Sequence, residues 1–460
     1  MQKKLLSGLF WILLANLIVK PLWILGIEVG VQNAVGNEMY GFYFAVFNLA
    51  YIFNILLDLG VTNFNTRNIA QHPQLITKHL SGILGLKVCL LGLYLLVTFT
   101  VGALLGYGSD EFRLLAWLTV AQFLNSLILY LRSNFEGLLL FKWDSLLSVT
   151  DRVLMILICG TLLWGPHFSF FNFQFSIYHF VYAQVAAYAL TALLALVVIA
   201  RKAKLHLSPF TFHLSPAFSL VILKKSAPFA LLVLLMASYN RIDPILLRSM
   251  ASDGEAGIYA GAFRLLDALT MVAYLVSIPL LPVFSKLCKE LKPAAANSSF
   301  ITHHSSLTDI LRLVFWPMML FAVGVSVACA LWAEPLMGLL YPGRGAMYVP
   351  VFRVVIFGII PIGITYIFGT LLTAGGYLRQ LNIFAATTLV LNIVVNVLLI
   401  PRLGATGSAW ASLSAQTFMA LAQLLLAIRL FRLPARAFLP PSPHNIISRI
   451  SLILKYKNQE

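Results

Sequence analysis

Residues 392–409 read NIVVNVLLIPRLGATGSA, and this stretch contains the pattern that decides the fold. One long apolar run ends within this stretch, and a second apolar run begins there. Pro401, Arg402 and Gly404 lie between the two runs. Each run has about 20 mostly apolar residues, the length that an α-helix needs to cross the hydrocarbon core of a bilayer. The stretch therefore predicts two membrane-spanning helices, over 381–400 and 405–428, joined by a short connection.

The same pattern recurs along the whole chain of 460 residues. Hydrophobic residues make up 60% of it and charged residues only 10%, whereas soluble domains carry about 25% charged residues. We predict an all-α polytopic membrane protein with twelve transmembrane helices, which excludes a soluble enzyme, a disordered chain and a secreted disulfide scaffold. The predicted spans are 5–27, 41–64, 80–106, 113–132, 145–164, 175–200, 226–247, 257–281, 310–333, 350–373, 381–400 and 405–428.

Lysine and arginine are distributed unevenly over the connections between these spans. If the N-terminus is cytoplasmic, the inside segments hold 21 of the 32 residues, the outside segments hold 5, and the rest lie within spans. Cytoplasmic loops of membrane proteins carry such an excess. We therefore predict that both termini are cytoplasmic, and we assign the net charge of +16 to this asymmetry rather than to nucleic-acid binding.

The two halves of the chain share a short motif after spans 1 and 7. An offset of 216 residues aligns Gly41 with Gly257, Tyr43 with Tyr259, Phe47 with Phe263 and Leu49 with Leu265. Six spans in each half give both halves one orientation, so we predict two six-helix lobes related by a pseudo-twofold axis along the membrane normal. The predicted organisation is an N-lobe (1–200), a cytoplasmic interlobe linker (201–224), a C-lobe (225–430) and a basic cytoplasmic tail (431–460) with a surface helix at 446–455.

Two stretches resemble the multidrug/oligosaccharidyl-lipid/polysaccharide exporter (MOP) superfamily, and most closely its polysaccharide repeat-unit flippases of the O-antigen type. One is 392–409, with its paired asparagines, its Ile-Pro exit and the Gly-x-x-Gly that opens the next span. The other is Asp243, followed by Gly257-x-Tyr259 and the prolines that close span 8. The resemblance implies two lobes that alternate between inward- and outward-open states, with spans 1, 2, 7 and 8 facing the cleft between them.

Basic side chains within or beside these four spans are the candidate substrate-binding residues. A charge at the bilayer centre costs about 2.5–3.5 kcal/mol, so it needs a protein or water environment. Lys20, Arg241 and Arg264 reach the outer half of the membrane and Arg67 lies at the cytoplasmic mouth, so we expect all four to bind an anionic head group. An alternative for Arg264 is a structural pair with Asp267, three residues later on the same helix.

Other features of the spans have structural explanations. Lys87, Arg152 and Arg312 lie near predicted cytoplasmic span ends, so we expect their long side chains to snorkel to the interface. Aromatic residues are clustered at the start of span 2 and before span 6, where we expect an outer aromatic belt in preference to a glycan contact. These residues are Tyr40, Phe42, Tyr43, Phe44, Phe168, Phe170, Phe171, Phe173, Phe175 and Tyr178.

Three carboxylates, Asp243, Asp58 and Asp267, are the candidates for coupling transport to H⁺ or Na⁺. Pro244 predicts a break in span 7 beside Asp243, and such breaks free backbone groups for ions or ligands. Arg241 lies two residues before Asp243, so the two side chains should not share one helix face. For Asp58 we prefer the alternative of a hydrogen-bonded contact between helices.

The leading functional hypothesis is a transporter of the bacterial inner membrane. The resemblance implies that it flips a polyprenyl-diphosphate-linked oligosaccharide from the cytoplasmic to the periplasmic leaflet, with membrane lipids and a glycan polymerase or glycosyltransferases as partners. The chain contains no Gly-x-x-x-x-Gly-Lys-Ser/Thr motif, and we expect no enzymatic activity, cofactor or metal. A cation-coupled multidrug exporter of the same superfamily would need an acidic or neutral cleft. A membrane glycosyltransferase or O-antigen polymerase would need a long outer loop with catalytic residues, which the predicted spans do not leave.

Overall fold

The structure is a computed structural model that describes residues 19, 21–62, 65–66, 69, 76–138, 140–165, 174–202, 216–277, 280–291 and 299–438. Within these ranges every regular element is a helix. A helix satisfies its backbone hydrogen bonds within one segment, which is what apolar chain in a water-free hydrocarbon layer requires. The prediction of an all-α protein is confirmed.

The α-helices of the described residues follow one another along the chain with short connections. They are α1 (Val29–Ile52), α2 (Ile76–Leu104), α3 (Ser109–Gly137), α4 (Phe141–Trp164), α5 (Ile177–Lys202), α6 (Pro216–Arg241), α7 (Asp243–Met250), α8 (Asp253–Ser277), α9 (Leu280–Leu291), α10 (Ser299–Leu331), α11 (Ala333–Leu340), α12 (Val349–Val355), α13 (Ile359–Gly375) and α14 (Leu378–Phe431). A π-helix, Leu22–Glu28, precedes α1, and shorter 3₁₀ segments are Phe53–Leu57, Gly345–Met347, Ile356–Gly358 and Ala435–Phe438.

Among the described residues, nine helical segments are long and apolar enough to cross a bilayer, or ten if one bent pair is counted as a span. Two of the nine exceed a single crossing: Leu22–Leu57 has 36 residues and Leu378–Phe431 has 54. Each is kinked at a glycine with positive φ, at Gly36 (82°) and at Gly404 (56°). These kinks fall in the connections predicted between spans 1 and 2 and between spans 11 and 12. The total of twelve stays a prediction, since most of span 1 lies outside the described residues.

The predicted break in span 7 is confirmed. Helix α6 ends at Arg241, α7 begins at Asp243, and the two helices are bent by 45°. Pro244 lies in the first turn of α7. Its missing N–H is tolerated there, whereas in the middle of a continuous helix it would remove a hydrogen bond and clash with the preceding turn.

Contacts within the chain divide it into two compact units, Met1–Gly261 and Ala262–Glu460. The boundary lies inside α8. The predicted lobes and linker therefore stay a prediction, and residues 203–215 of the linker lie outside the described ranges. The two units are described separately below.

The beginning of the predicted tail is attached to the second unit. After α14, the 3₁₀ turn Ala435–Phe438 brings the ring of Phe438 to 5.4 Å from that of Phe315 in α10 and 6.2 Å from that of Phe368 in α13. The predicted surface helix at 446–455 lies outside the described residues.

Candidate functional site

A row of five aromatic side chains runs through the first unit. Tyr43, Phe47 and Tyr51 follow one another at four-residue spacing on one face of α1, with ring centroids 5.7 and 6.0 Å apart. The row continues from Tyr43 to Phe180 of α5 (5.4 Å) and from Phe180 to Trp23 of the π-helix (5.8 Å). We call these five residues the aromatic row. Short π-helices are rare and frequently occur at functional sites.

An arginine lies at each end of the aromatic row. The guanidinium carbon of Arg152, from α4, is 5.5 Å from the ring centroid of Trp23, and that of Arg241 is 5.3 Å from the ring centroid of Tyr51. Arg152 also hydrogen-bonds Tyr188 and lies 3.6 Å from Asp151. Its side chain is 27% exposed although Trp23 and Tyr188 are buried. The side chain of Arg152 is therefore partly exposed at this end of the aromatic row.

This arrangement corrects two sequence-based expectations. The belt prediction is wrong for Tyr40, Tyr43 and Phe44, because all three are buried against protein and do not face outward. Snorkelling is wrong for Arg152, whose guanidinium lies against two buried rings. Residues 166–173, which hold most of the second aromatic cluster, lie outside the described ranges. The four-residue spacing of aromatics from Tyr43 to Tyr51 is the sequence signal that indicates the row.

The carboxylate of Asp243 is buried at the break in span 7. The hydroxyl of Tyr259, in α8, donates a hydrogen bond to Oδ2 of Asp243 at 2.9 Å. The guanidinium of Arg241 lies over the ring of Tyr51 of α1.

Span 2 is broken as well, at Asp58. The 3₁₀ segment Phe53–Leu57 ends there, and Leu59 and Gly60 have φ values of 43° and 86°. The ammonium of Lys87, from α2, donates a hydrogen bond to Oδ1 of Asp58 at 3.1 Å. Snorkelling is therefore wrong for Lys87, which is only 1% exposed. Asp58 makes the interhelical contact that we preferred, with a lysine as its partner.

Arg264 belongs to the second unit and is 4% exposed. It hydrogen-bonds Tyr341 and interacts electrostatically with Asp267. The ring of Tyr341 stacks on that of Tyr348, with centroids 4.1 Å apart. Burial raises the pKa of Tyr341 to about 12, so its hydroxyl stays protonated at neutral pH. These contacts correspond to the structural alternative for Arg264 and Asp267, and a role in substrate binding or coupling stays a prediction. Lys20 and Arg67 lie outside the described residues.

The paired asparagines of 392–409 are buried in the second unit. Nδ2 of Asn396 donates to Oδ1 of Asn392 at 2.8 Å, and the hydroxyl of Ser408 donates to Oδ1 of Asn396 at 2.8 Å. The bond from Ser408 to Asn396 connects the two parts of α14 across the kink at Gly404. The motif therefore holds the junction of predicted spans 11 and 12 together.

The predicted outer ends of spans 2, 4, 7 and 8 meet around Arg248, which sequence reasoning missed. Its Nη2 donates to Oε1 of Glu111 at 2.5 Å and its Nε to Oδ1 of Asp253 at 2.7 Å. The same guanidinium lies over the rings of Phe42 (4.8 Å) and Tyr107 (5.3 Å). The predicted outer connections hold seven acidic residues (Glu28, Glu38, Asp110, Glu111, Asp253, Glu255 and Glu334), but this pattern does not identify the partners of Arg248. We call these five residues the outer cluster.

Solved structures with the same overall fold are transporters. A mutant of the Vibrio cholerae MATE transporter VcmN is 18% identical, covers 95% of this chain and 98% of its own, and has a TM-score of 0.57. An inward-facing multidrug resistance MATE family transporter of the MOP superfamily is 15% identical, with 91% and 94% coverage and a TM-score of 0.65. A MOP superfamily transporter from Pyrococcus furiosus, described as having a binding pocket of reversed polarity, is 15% identical, with 92% and 95% coverage and a TM-score of 0.61.

These likenesses concern the fold, and the family follows from the sequence itself. No curated protein sequence matches the chain significantly. The model of the family described as "Polysaccharide biosynthesis protein" matches residues 5–288. The fold and the family together define a multi-pass membrane transporter of the MOP superfamily. The chain belongs to the polysaccharide biosynthesis protein family.

Proposed function

We propose that the protein flips a polyprenyl-diphosphate-linked oligosaccharide from the cytoplasmic to the periplasmic leaflet of the bacterial inner membrane by alternating access. The observation that carries this proposal is the aromatic row with an arginine at each end. Sugar rings stack on aromatic faces, and a guanidinium binds phosphate oxygens in bidentate geometry. A lipid-linked glycan offers both chemistries in one molecule, while its polyprenyl tail remains in the bilayer.

Membership of the polysaccharide biosynthesis family supports this cargo. Within the proposal, Arg152 and Arg241 contact the diphosphate or an acidic sugar, and the rings between them contact the glycan. Lys20, Arg67 and Arg264 are the other basic residues that the sequence predicts to bind the substrate. A glycosyltransferase supplies the substrate on the cytoplasmic side, and a glycan polymerase or ligase removes the product outside.

Energy for uphill movement is proposed to come from an ion gradient acting on Asp243. A carboxylate buried at a helix break is a natural binding group for H⁺ or Na⁺, because charged groups within membrane spans commonly carry ions or protons and such breaks free backbone groups for ions. The hydroxyl of Tyr259 holds the carboxylate in position by donating a hydrogen bond to it. Asp58 and Asp267 are the further candidates for coupling; Lys87 hydrogen-bonds Asp58, and Arg264 interacts electrostatically with Asp267.

Export of organic cations is the second candidate, since MATE transporters share the fold. Cationic drugs would meet Arg152 and Arg241 at the aromatic row, and like charges repel there. An experiment with both substrate classes separates the two functions. Purified protein is reconstituted into vesicles with a polyprenyl-diphosphate oligosaccharide, and the fraction of glycan accessible to an added glycosidase is followed with time.

The proposal expects protein-dependent movement of the lipid-linked glycan and no protein-dependent uptake of ethidium in parallel vesicles. Vesicles with a heat-denatured sample of the same protein serve as the control for leakage. Ethidium transport without glycan movement would replace the flippase with a drug exporter.

A further inference from the structure

The ammonium of Lys87 lies in a site made of three oxygen atoms. Its Nζ donates hydrogen bonds to the carbonyl oxygen of Leu57 at 3.1 Å, to Oδ1 of Asp58 at 3.1 Å and to Oγ of Ser126 at 2.8 Å. An ammonium group has three N–H donors, so these acceptors satisfy it completely. The ring of Tyr130 adds a cation–π contact at 5.8 Å.

These ligands have the chemistry of a monovalent-cation site. A backbone carbonyl, a carboxylate and a hydroxyl are the oxygen types that bind hard cations in proteins. Lys87 is 1% exposed and Ser126 is buried, whereas Asp58 is 23% exposed, so the ammonium is enclosed while the carboxylate is partly open. An unpaired cation at this depth would be strongly unfavourable, so the lysine is held there by its oxygen ligands.

The site also lies where span 2 changes direction. The carbonyl of Leu57, at the end of the 3₁₀ segment, accepts hydrogen bonds from two side chains outside its own helix, Lys87 and Ser126. On the other side of the break, Asp58 accepts from the backbone N–H of Thr62 at 3.2 Å. One cation thus connects both sides of the break to α2 and α3.

We infer that Lys87 is a tethered cation: its ammonium fills a monovalent-cation site at the break in span 2, and transport requires a cation in that site. Lys87 is a positioning residue, since it holds the shape of span 2 through the oxygen ligands. The negative charge of Asp58 is then balanced by the chain itself rather than by a transported ion. Asp58 then takes no part in ion exchange, and Asp243 stays the leading coupling candidate of the proposed function.

The first experiment asks whether the oxygen atoms form a true cation site, and it does not depend on the identity of the cargo. Lys87→Ala removes three side-chain carbons and the ammonium nitrogen. The cation n-propylammonium has the same three carbons and one nitrogen, so it can fill the space that the substitution leaves. The melting temperature of the purified variant should rise saturably with n-propylammonium, by roughly 2 °C or more at tenfold excess over its Kd. Wild type and the variant Lys87→Ala with Asp58→Asn should not respond, and tetramethylammonium, which has no N–H donor, should have no effect. An absent response in Lys87→Ala, or an equal response in wild type, overturns the inference.

The second experiment distinguishes a role of Lys87 in positioning span 2 from a role in folding of the protein. It can also be carried out if Lys87→Ala does not fold. The double variant Lys87→Met with Asp58→Asn removes both charges at nearly constant volume, so no unpaired charge remains buried. We expect a melting temperature within a few degrees of wild type but at least tenfold less glycan export, a measurement that rests on the proposed function. Export at the wild-type level overturns the inference. Failure of the double variant to reach the membrane also overturns it, because the pair would then act on folding.

Discussion

Gly41 and Gly257, which are aligned in the predicted internal repeat, lie backbone against backbone. A Cβ atom on Gly41 would be 1.8 Å from the carbonyl oxygen of Asp253, and one on Gly257 would be 2.1 Å from the carbonyl oxygen of Asn37. Real Cβ atoms essentially never come within 3.0 Å of such atoms. Gln32 reinforces the contact by donating a hydrogen bond to the carbonyl of Gly257 at 2.8 Å. The start of span 8 therefore contacts the start of span 2 through its main chain.

This contact predicts opposite effects for two glycines of α8. Gly257→Ala should lower the melting temperature, because the new methyl group must push the two helices apart. Gly254→Ala should be neutral or slightly stabilising, since its Cβ would meet nothing closer than 3.7 Å and alanine favours helix by about 1 kcal/mol. Thermal unfolding of the two purified variants in the same detergent compares them directly. Equal melting temperatures of the two variants would mean that a methyl group at position 257 does not destabilise the protein, which would contradict the prediction.

The outer cluster predicts a measurable coupling between Arg248 and Glu111. Both side chains are largely shielded from solvent, and the guanidinium also binds Asp253 and faces two aromatic rings. A double-mutant cycle with Arg248→Ala and Glu111→Ala should give a coupling free energy of about 1–2 kcal/mol. The exposed pair Arg353–Glu334 is the matched control, and its cycle should give about 0.5 kcal/mol or less. Similar values for both pairs would contradict a special role for the cluster.

Local patterns were enough to predict some features of the fold and failed for others. Apolar runs predicted the helices, and Pro244 predicted the break in span 7, because both effects act within a few residues. Lys87 and Asp58 are 29 residues apart, and Arg248 and Glu111 are 137 apart. Such pairings depend on which helices become neighbours, and a single sequence does not contain that information.

The same distinction explains the errors at the candidate site. The depth of Arg152 in its span favoured snorkelling, but depth alone does not fix the direction in which a helix face points. Tyr40 and Tyr43 were assigned to a membrane belt by their position at a span end, whereas packing of α1 against its neighbours buries them. The repeat offset aligns Gly41 with Gly257, and these two glycines are in contact, but the repeat itself stays a prediction.

Substitution of the arginines tests the substrate site. Arg241→Ala should abolish glycan export while the amount of protein in the membrane stays near wild type, because the cation is removed without disturbing the helix ends. Arg241→Lys should restore only part of the export, since a point charge replaces a bidentate fork. We expect the same result for Lys20→Ala and Arg152→Ala. Arg402→Ala, at an exposed position in a predicted outer connection, is the control and should export normally. Full export by Arg241→Ala would remove this residue from the site.

The orientation in the membrane rests on the distribution of lysine and arginine and is tested with reporter fusions. A reporter that is active only in the cytoplasm should work when fused after Arg379 or at the C-terminus. A reporter that is active only in the periplasm should work when fused after Asp253. The reverse pattern of activities would contradict the predicted orientation.

Ion coupling is tested at Asp243. Asp243→Asn keeps the shape of the side chain and its hydrogen bond to Tyr259 but removes the charge that binds H⁺ or Na⁺. In reconstituted vesicles, glycan movement by wild type should respond to an imposed proton or sodium gradient, and the variant should not respond. Tyr259→Phe removes only the hydrogen bond, so it should retain a gradient response with altered ion dependence. Asp110→Asn, at an exposed position, controls for the loss of one carboxylate and should behave as wild type. If Asp243→Asn keeps the full gradient response, then Asp243 is a structural partner of Tyr259 and the coupling group lies elsewhere.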